Sequence, residues 1–182
     1  MVNEFARQGF HLVFLLLLAA LAWVFPQAWF LLLCASLLFL GSLLVFFRPA
    51  SFEWLLQVFD RDERFLPGKG AFMAVSGAFF VSLIFPVQAA ASLVVLAIAD
   101  SAATLVGVRW GSYPLPWSAS KSWAGVAAFF VSACLVLFFV SSWWWLVALF
   151  ATVVEAADYS SYPFLDDNVL IPLTVAAALL LF

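Results

Sequence analysis

Long runs of apolar residues, separated by short breaks, fill most of this chain of 182 residues. Hydrophobic residues make up 68% of the chain and charged residues only 9%, which is too little charge to cover the surface of a water-soluble protein. Within a bilayer every backbone polar group must be paired inside the chain, so apolar runs of this kind form helices. The pattern predicts an all-α, polytopic integral membrane protein.

Seven such runs can be separated, so we expect about seven transmembrane helices in a single transmembrane catalytic domain over residues 1–182. Several runs are shorter than the roughly 20 residues that usually cross a bilayer, which local thinning or boundary residues can accommodate. The seven runs are 8–25, 28–47, 71–86, 88–108, 123–140, 142–156 and 169–182.

The charges fall on one side of the membrane when the seven runs cross it alternately. The N-terminus and the loops 48–70, 109–122 and 157–168 then share that side, and they carry all seven lysines and arginines. By the positive-inside rule this side is cytoplasmic. The links on the opposite side are short and uncharged, whereas a pore usually needs polar groups at both faces. We therefore expect a polar cavity that faces the cytoplasm.

A first polar motif interrupts the fourth run, in "ADSAATLVGVRWG". Asp100, Thr104, Gly107 and Gly111 are spaced by four, three and four residues, so they form one stripe on a helix. An ionised carboxylate in an apolar run needs a partner or a metal ion. A packing stripe of small residues is the alternative interpretation.

A second motif, "SASKSWAG", stands just before the fifth run. Ser118, Ser120, Lys121 and Ser122 precede a helix that we expect to start near Trp123. Hydroxyls, an ammonium group and free backbone N–H groups at a helix N-terminus favour phosphate binding. The spacing is not that of a Walker A loop.

A third motif is acidic, "VEAADYSSYPFLDDNVLIPLT". Glu155 and Asp158 are three residues apart and are predicted to share a helix face, while Asp166, Asp167 and Asn168 precede the last run. Asp167 or Asn168 could instead serve only as the N-cap of that helix. A set of oxygen ligands without a basic residue favours Mg²⁺.

Two further clusters carry charge. Glu4, Arg7 and His11 share a helix face, although a lone histidine at this place is more often an ordinary interfacial residue. In "DRDERFLPGKGA" a Pro-Gly turn presents Arg64 and Lys69, either as a solvated loop or as an anion-binding loop. Carboxylates for a divalent metal and cations for phosphates, all beside lipid, indicate phosphoryl or nucleotidyl transfer to a lipid.

At these motifs the sequence resembles the CTP-dependent lipid kinase family, which includes dolichol kinase, phytol kinase and the CTP-dependent diacylglycerol kinases, and which is related to the phosphatidate cytidylyltransferases. The resemblance extends over nearly the whole chain. It rests on five motifs in order: "EFARQGFH", "RFLPGKGA" followed by "SG", "ADSAATLVGVRWG", "SASKSWAG" and "E…DDNVLIP".

The resemblance implies a phosphotransferase that moves the terminal phosphate of CTP to the hydroxyl of a membrane lipid alcohol, of the polyprenol, geranylgeraniol, phytol or dolichol type, or of diacylglycerol. It implies an active site at the cytoplasmic face of a multi-pass membrane protein, with CTP, the lipid alcohol and the bilayer as partners and no nucleic acid. A homodimer is compatible with this interpretation.

The resemblance also distributes roles. Asp100, Asp158, Asp167 and Asn168 are expected to hold Mg²⁺, with Glu155 as a further candidate. The expected nucleotide-binding residues are Arg64, Lys69, Gly107, Gly111, Ser120, Lys121 and Ser122. The hydroxyl proton is expected to pass to Asp100, Glu155 or His11.

Three other functions remain open at this point. The same cavity could condense CTP with a lipid phosphate to a CDP-lipid and pyrophosphate, as a cytidylyltransferase does. A small transporter and a non-catalytic membrane scaffold are the more distant alternatives.

Overall fold

A computed structural model describes residues 4–47, 68–159, 162 and 165–182 of the chain. Seven helices lie in these residues, each on one of the predicted apolar runs, which confirms the all-α class. They are α1 (Glu4–Val24), α2 (Gln27–Phe47), α3 (Lys69–Ile84), α4 (Ala89–Trp110), α5 (Trp123–Leu137), α6 (Trp144–Ala156) and α7 (Asp167–Leu181).

Three of the helices in the described residues are long and apolar enough to cross a membrane: α1 and α2 with 21 residues each and α4 with 22. The other four are apolar but shorter, between the 13 residues of α6 and the 16 of α3. The lengths agree with the shortness of the corresponding runs. Seven spans and the side of the membrane on which the loops lie remain predictions.

The core is built around the first half of α4. Leu93 and Leu96 of this helix are fully buried, as are Phe129 of α5 and Ile171 of α7. Helices α1, α5 and α7 pack on α4, and α3 packs on α7. Helix α2 lies at the periphery, and its buried residues are Phe30 and Cys34. This arrangement brings the ends of α1, α6 and α7 to the middle of α4.

Helix α4 contains a turn that the sequence analysis did not predict. Residues Leu96–Asp100 form a π-helical turn between the α-helical segments Ala89–Val95 and Ser101–Trp110. A π turn inserts one extra residue and is often found at functional sites. It ends at Asp100, the carboxylate on which the first motif depends.

The prediction that residues 109–122 form a loop is wrong in one respect, because part of this segment forms a small β-hairpin. Strand β1 (Pro114–Leu115) pairs antiparallel with β2 (Ser118–Ser122). The hairpin is closed at its base by the Trp123 backbone N–H, which donates to the Tyr113 carbonyl at 3.1 Å. Strand β2 ends at Ser122, directly before the first residue of α5, so the pairing of β1 with β2 holds Lys121 and Ser122 in a defined position.

Candidate active site

A polar cavity of about 460 Å³ lies where α1, α4, the β-hairpin and α5 meet the ends of α6 and α7. It brings together residues from all five motifs, with Gly70 as the contribution of "RFLPGKGA". The predicted site residues that line it are His11, Asp100, Gly107, Gly111, Ser120, Lys121, Ser122, Glu155, Asp167 and Asn168. Lys69 and Asp158 do not line it, and Arg64 lies outside the described residues.

The glycines of the first two motifs let α4 and α5 approach closely around Ser122. A Cβ atom on Gly111 would lie 2.6 Å from Ser122 Oγ, and one on Gly125 would lie 3.0 Å from the Ala103 carbonyl oxygen. Ser122 is the N-cap of α5, and its Oγ accepts a hydrogen bond from the Gly125 N–H at 3.2 Å. The helix therefore begins at Trp123, as the sequence predicted, with its first turn at the cavity.

Lys121 is the central cation of the cavity. Its Nζ donates to Asp167 Oδ2 at 2.8 Å and to the Glu155 carbonyl, and it lies 3.4 Å from Glu155 Oε1. Burial lowers the pKa of the Lys121 ammonium, but the Glu155 and Asp167 carboxylates raise it by more, so the pKa lies above its ordinary value. Lys121 is therefore a fixed positive charge that ties three separate elements together.

The N-cap of α7 is Asp166, so the expectation of Asp167 or Asn168 in that role is wrong. Asp166 Oδ1 accepts from the Asn168 backbone N–H at 3.0 Å and from Asn168 Nδ2 at 2.8 Å. Its other carboxylate oxygen lies 3.7 Å from Lys69 Nζ. With the cap provided by Asp166, the side chains of Asp167 and Asn168 are free to line the cavity.

Glu155 and Asp158 do not share a helix face, contrary to the prediction. Helix α6 ends at Ala156, because Ala157 adopts an extended conformation and the Ala156 carbonyl accepts a hydrogen bond from Trp117 Nε1 at 2.8 Å. Glu155 lies in the last turn, only 7% exposed, and lines the cavity. Of these two acids, only Glu155 lines the cavity.

Helix α1 contributes Arg7, Gln8 and His11 to the cavity. Arg7 forms an ion pair with Glu4 one turn earlier, and His11 Nε2 lies 3.3 Å from Asp100 Oδ2. Gln8 was not among the predicted site residues. Its position three residues before His11, on the same helix face, was the signal that could have identified it.

The donor set of the cavity fits a divalent cation. Buried oxygens of Glu155, Asp167 and Asn168 have no hydrogen-bond partner, and carboxylate and amide oxygens are the ligands that Mg²⁺ prefers. No three His, Cys, Asp or Glu side chains among the described residues are grouped closely enough to hold a metal ion by themselves. Mg²⁺ commonly takes only one or two protein carboxylates and completes its shell with phosphate oxygens and water.

Fold and site together define an all-α protein whose apolar helices enclose a charged, oxygen-rich cavity. No family model matches the chain, and no solved structure matches it. An uncharacterized protein of Methanocaldococcus jannaschii is 31% identical over 182 residues, which cover 96% of this chain and 92% of the archaeal protein. The chain therefore belongs to the same family as this archaeal protein.

Plant proteins extend the comparison. Probable phytol kinase 2 of Glycine max is 36% identical over 109 residues, and a probable phytol kinase of Triticum aestivum is 38% identical over 109 residues; both are chloroplastic. Each match covers 50% of this chain but only 37% and 36% of the plant proteins' own length. The similarity supports a related lipid kinase family.

Proposed function

We propose that this protein is a CTP-dependent phosphotransferase that moves the terminal phosphate of CTP to the hydroxyl of a membrane lipid alcohol. The observation that carries the proposal is the cavity in which Lys121, at the start of α5, meets the acids of α4, α6 and α7. The similarity to the plant phytol kinases supports a lipid alcohol as the acceptor. CTP as the donor rests on the resemblance of the motifs.

In this proposal the nucleotide phosphates lie at the junction of β2 and α5. The Lys121 ammonium and the Ser120 hydroxyl are donors suited to phosphate oxygens, and the positive end of the α5 dipole lies beside them. The close approach of α4 at Gly107 and Gly111 leaves backbone rather than side chains at this end of the cavity. Ser122 stabilises the turn as its N-cap.

The proposed metal ligands are Asp100, Asp167, Asn168 and Glu155. Bound Mg²⁺ would neutralise the charge that the phosphates bring into the cavity. Four acidic residues line the cavity, against the two lysine or arginine residues Arg7 and Lys121 among the described residues. This excess of negative charge favours binding of the phosphates together with a divalent cation over binding of the phosphates alone.

The transfer step is a displacement at phosphorus. The lipid hydroxyl oxygen forms a bond to the γ-phosphorus, the bond from that phosphorus to the β–γ bridging oxygen breaks, and CDP leaves with this oxygen. The hydroxyl proton passes to a base of the cavity, for which His11, Asp100 and Glu155 are the candidates. Lys121 offers its positive charge to the phosphate oxygens throughout.

Transfer of radiolabel in detergent micelles tests the proposal. Purified protein with Mg²⁺ is given CTP labelled at the γ-phosphate or at the α-phosphate, with geranylgeraniol, phytol, longer polyprenols and diacylglycerol as acceptors. We expect label in the lipid from the γ position only. Label from the α position only, with a lipid phosphate supplied, would identify a cytidylyltransferase and refute the proposal.

Asp167→Asn provides the matched inactive control for this assay. It keeps the size of the side chain but removes a charge that both Lys121 and a metal would use. We expect at least a hundredfold loss of transfer with a normal elution profile in detergent, on the order of the loss seen when a positioned charge is removed. Full activity would exclude Asp167 from the metal site.

A further inference from the structure

Gln8 lines the cavity and carries a buried hydrogen-bond acceptor that has no partner. The residue is 3% exposed and lines the cavity from α1. Its Nε2 faces Glu4 Oε1 at 3.5 Å, whereas its Oε1 is buried and has no hydrogen-bond partner. A buried acceptor without a partner is unfavourable, so a ligand that supplies a donor is favoured at this position.

The chemistry of this acceptor restricts the ligand. A carbonyl oxygen needs an O–H or N–H donor, and ionised phosphate oxygens offer only acceptors. Lys121, the cation proposed for the phosphates, belongs to another element, β2, and Arg7 of α1 is paired with Glu4. The group that meets Gln8 is therefore a hydroxyl or an amine, and not the polyphosphate.

The outer surface of α1 indicates from which side such a ligand arrives. Phe10, Val13 and Leu17 are exposed large apolar residues on this helix, with Val13 as much as 66% exposed. Helix α1 is also one of the three described helices long and apolar enough to span a membrane. Its polar face at Gln8 and His11 lines the cavity, and its other face suits lipid.

We propose that Gln8 is an acceptor-binding residue, whose side-chain carbonyl accepts a hydrogen bond from the hydroxyl of the lipid alcohol. The inference rests on the proposed function and adds the place of the second substrate. It puts the hydroxyl next to His11, which lies one turn further along α1 and faces Asp100 at 3.3 Å. The amino group and the ribose hydroxyls of a nucleotide are the other donors that could use the same carbonyl.

A comparison of the binding of an alcohol and of its methyl ether tests whether Gln8 accepts a hydrogen bond from the lipid hydroxyl. Geranylgeraniol and geranylgeranyl methyl ether have the same apolar chain, but the ether has no proton to donate. In nanodiscs without nucleotide, we expect the wild type to bind the alcohol roughly five- to tenfold more tightly than the ether, the effect of one hydrogen bond. Gln8→Met should bind both equally.

Gln88→Met is the matched control, because Gln88 precedes α4 away from the cavity and the same change there should keep the preference for the alcohol. Gln8→Asn keeps a neutral amide but withdraws the carbonyl by one methylene, so it serves the same purpose if Gln8→Met does not fold. Equal binding of alcohol and ether by the wild type, or an unchanged preference in the Gln8 variants, would overturn the inference.

A kinetic measurement shows whether Gln8 contacts the lipid or the nucleotide. We expect Gln8→Met to raise the KM for the alcohol severalfold and to leave the KM for CTP within twofold of the wild type. A raised KM for CTP with unchanged lipid binding would assign Gln8 to the nucleotide and refute the inference. If the wild type transfers no phosphate from any nucleotide, the proposed function fails, while the binding comparison still tests Gln8.

Discussion

The contact between Gly77 of α3 and the first turn of α7 leads to a quantitative prediction. A Cβ atom added at Gly77 would lie 2.0 Å from the Asn168 carbonyl oxygen and 3.2 Å from Val169 Cα. The atoms that it meets belong to the backbone, so no change of side-chain rotamer can relieve the clash. In Gly77→Ala the two helices must therefore separate locally by about 1 Å or more, since packed interiors hold no spare space.

The cost of this separation can be estimated. Overpacking of a well-packed interior costs roughly 1–3 kcal/mol, and the better helix propensity of alanine offsets about 1 kcal/mol of it. Because the clash is with backbone atoms, we place the cost at the upper end of this range, about 2–3 kcal/mol. The free energy of unfolding should then fall by about 1–2 kcal/mol, and the thermal midpoint by several degrees. Because Asp167 and Asn168 move with the first turn of α7, phosphotransfer should fall on the order of a hundredfold.

Thermal unfolding in detergent and the radiolabel assay measure the two effects. Gly41→Ala is the control, because a Cβ atom at Gly41 of α2 meets nothing within 4 Å. It should be neutral or slightly stabilising, with full activity. A Gly77→Ala protein with the midpoint and turnover of the wild type would refute the reasoning that this contact positions α7.

The remaining predictions concern the charges around Lys121 and the cap of α7. Lys121→Met leaves the Glu155 and Asp167 carboxylates without their cation and should lower the free energy of unfolding by about 3 kcal/mol. Adding Glu155→Gln to this variant should restore part of the lost stability in the same melting experiment. A further fall in stability would contradict the pairing. Because the Lys121 pKa is raised, Lys121 is fully charged below the ordinary lysine pKa and loses its charge only as the pH rises through the higher folded-state value. The difference in midpoint between the wild type and Lys121→Met should thus stay constant from about pH 7.5 to about pH 9, and a steady decrease over that range would disprove the stated direction. Asp166→Ala removes the α7 cap and should lower the free energy of chemical unfolding by about 1 kcal/mol. Asp166→Asn can still cap the helix and should lower it by less. Equal losses of stability in the two variants would exclude capping as the role of Asp166.

Local patterns in the sequence were sufficient to predict the positions of the helices and several of their ends. Apolar runs must become helices when no water is present to pair the backbone, so all seven helices in the described residues appear where they were predicted. The start of α5 at Trp123 followed from the serine before it. The spacing of Asp100, Thr104, Gly107 and Gly111 likewise predicted the stripe that lines the cavity.

The errors arose where the outcome depended on contacts between distant segments. The end of α6 at Ala156 involves Trp117, which is 39 residues earlier in the chain, and so Asp158 leaves the face that it was predicted to share with Glu155. The hairpin before α5 depends on cross-strand pairing that no periodicity in "GSYPLPWSASKS" indicates.

Composition and spacing thus determined the helical class, the polar motifs and the residue types from which a phosphate and metal site could be built. Only the tertiary structure decided which of these residues meet. Lys121 and Asp167 are 46 residues apart in the chain, and the packing of α5 and α7 against α6 and α4 brings their side chains to 2.8 Å. The packing of α1 on α4 likewise leaves the Gln8 side-chain carbonyl buried without a partner at the cavity wall. The sequence could not show this, because the cost of an unpaired polar group depends on its surroundings and not on its position in the chain.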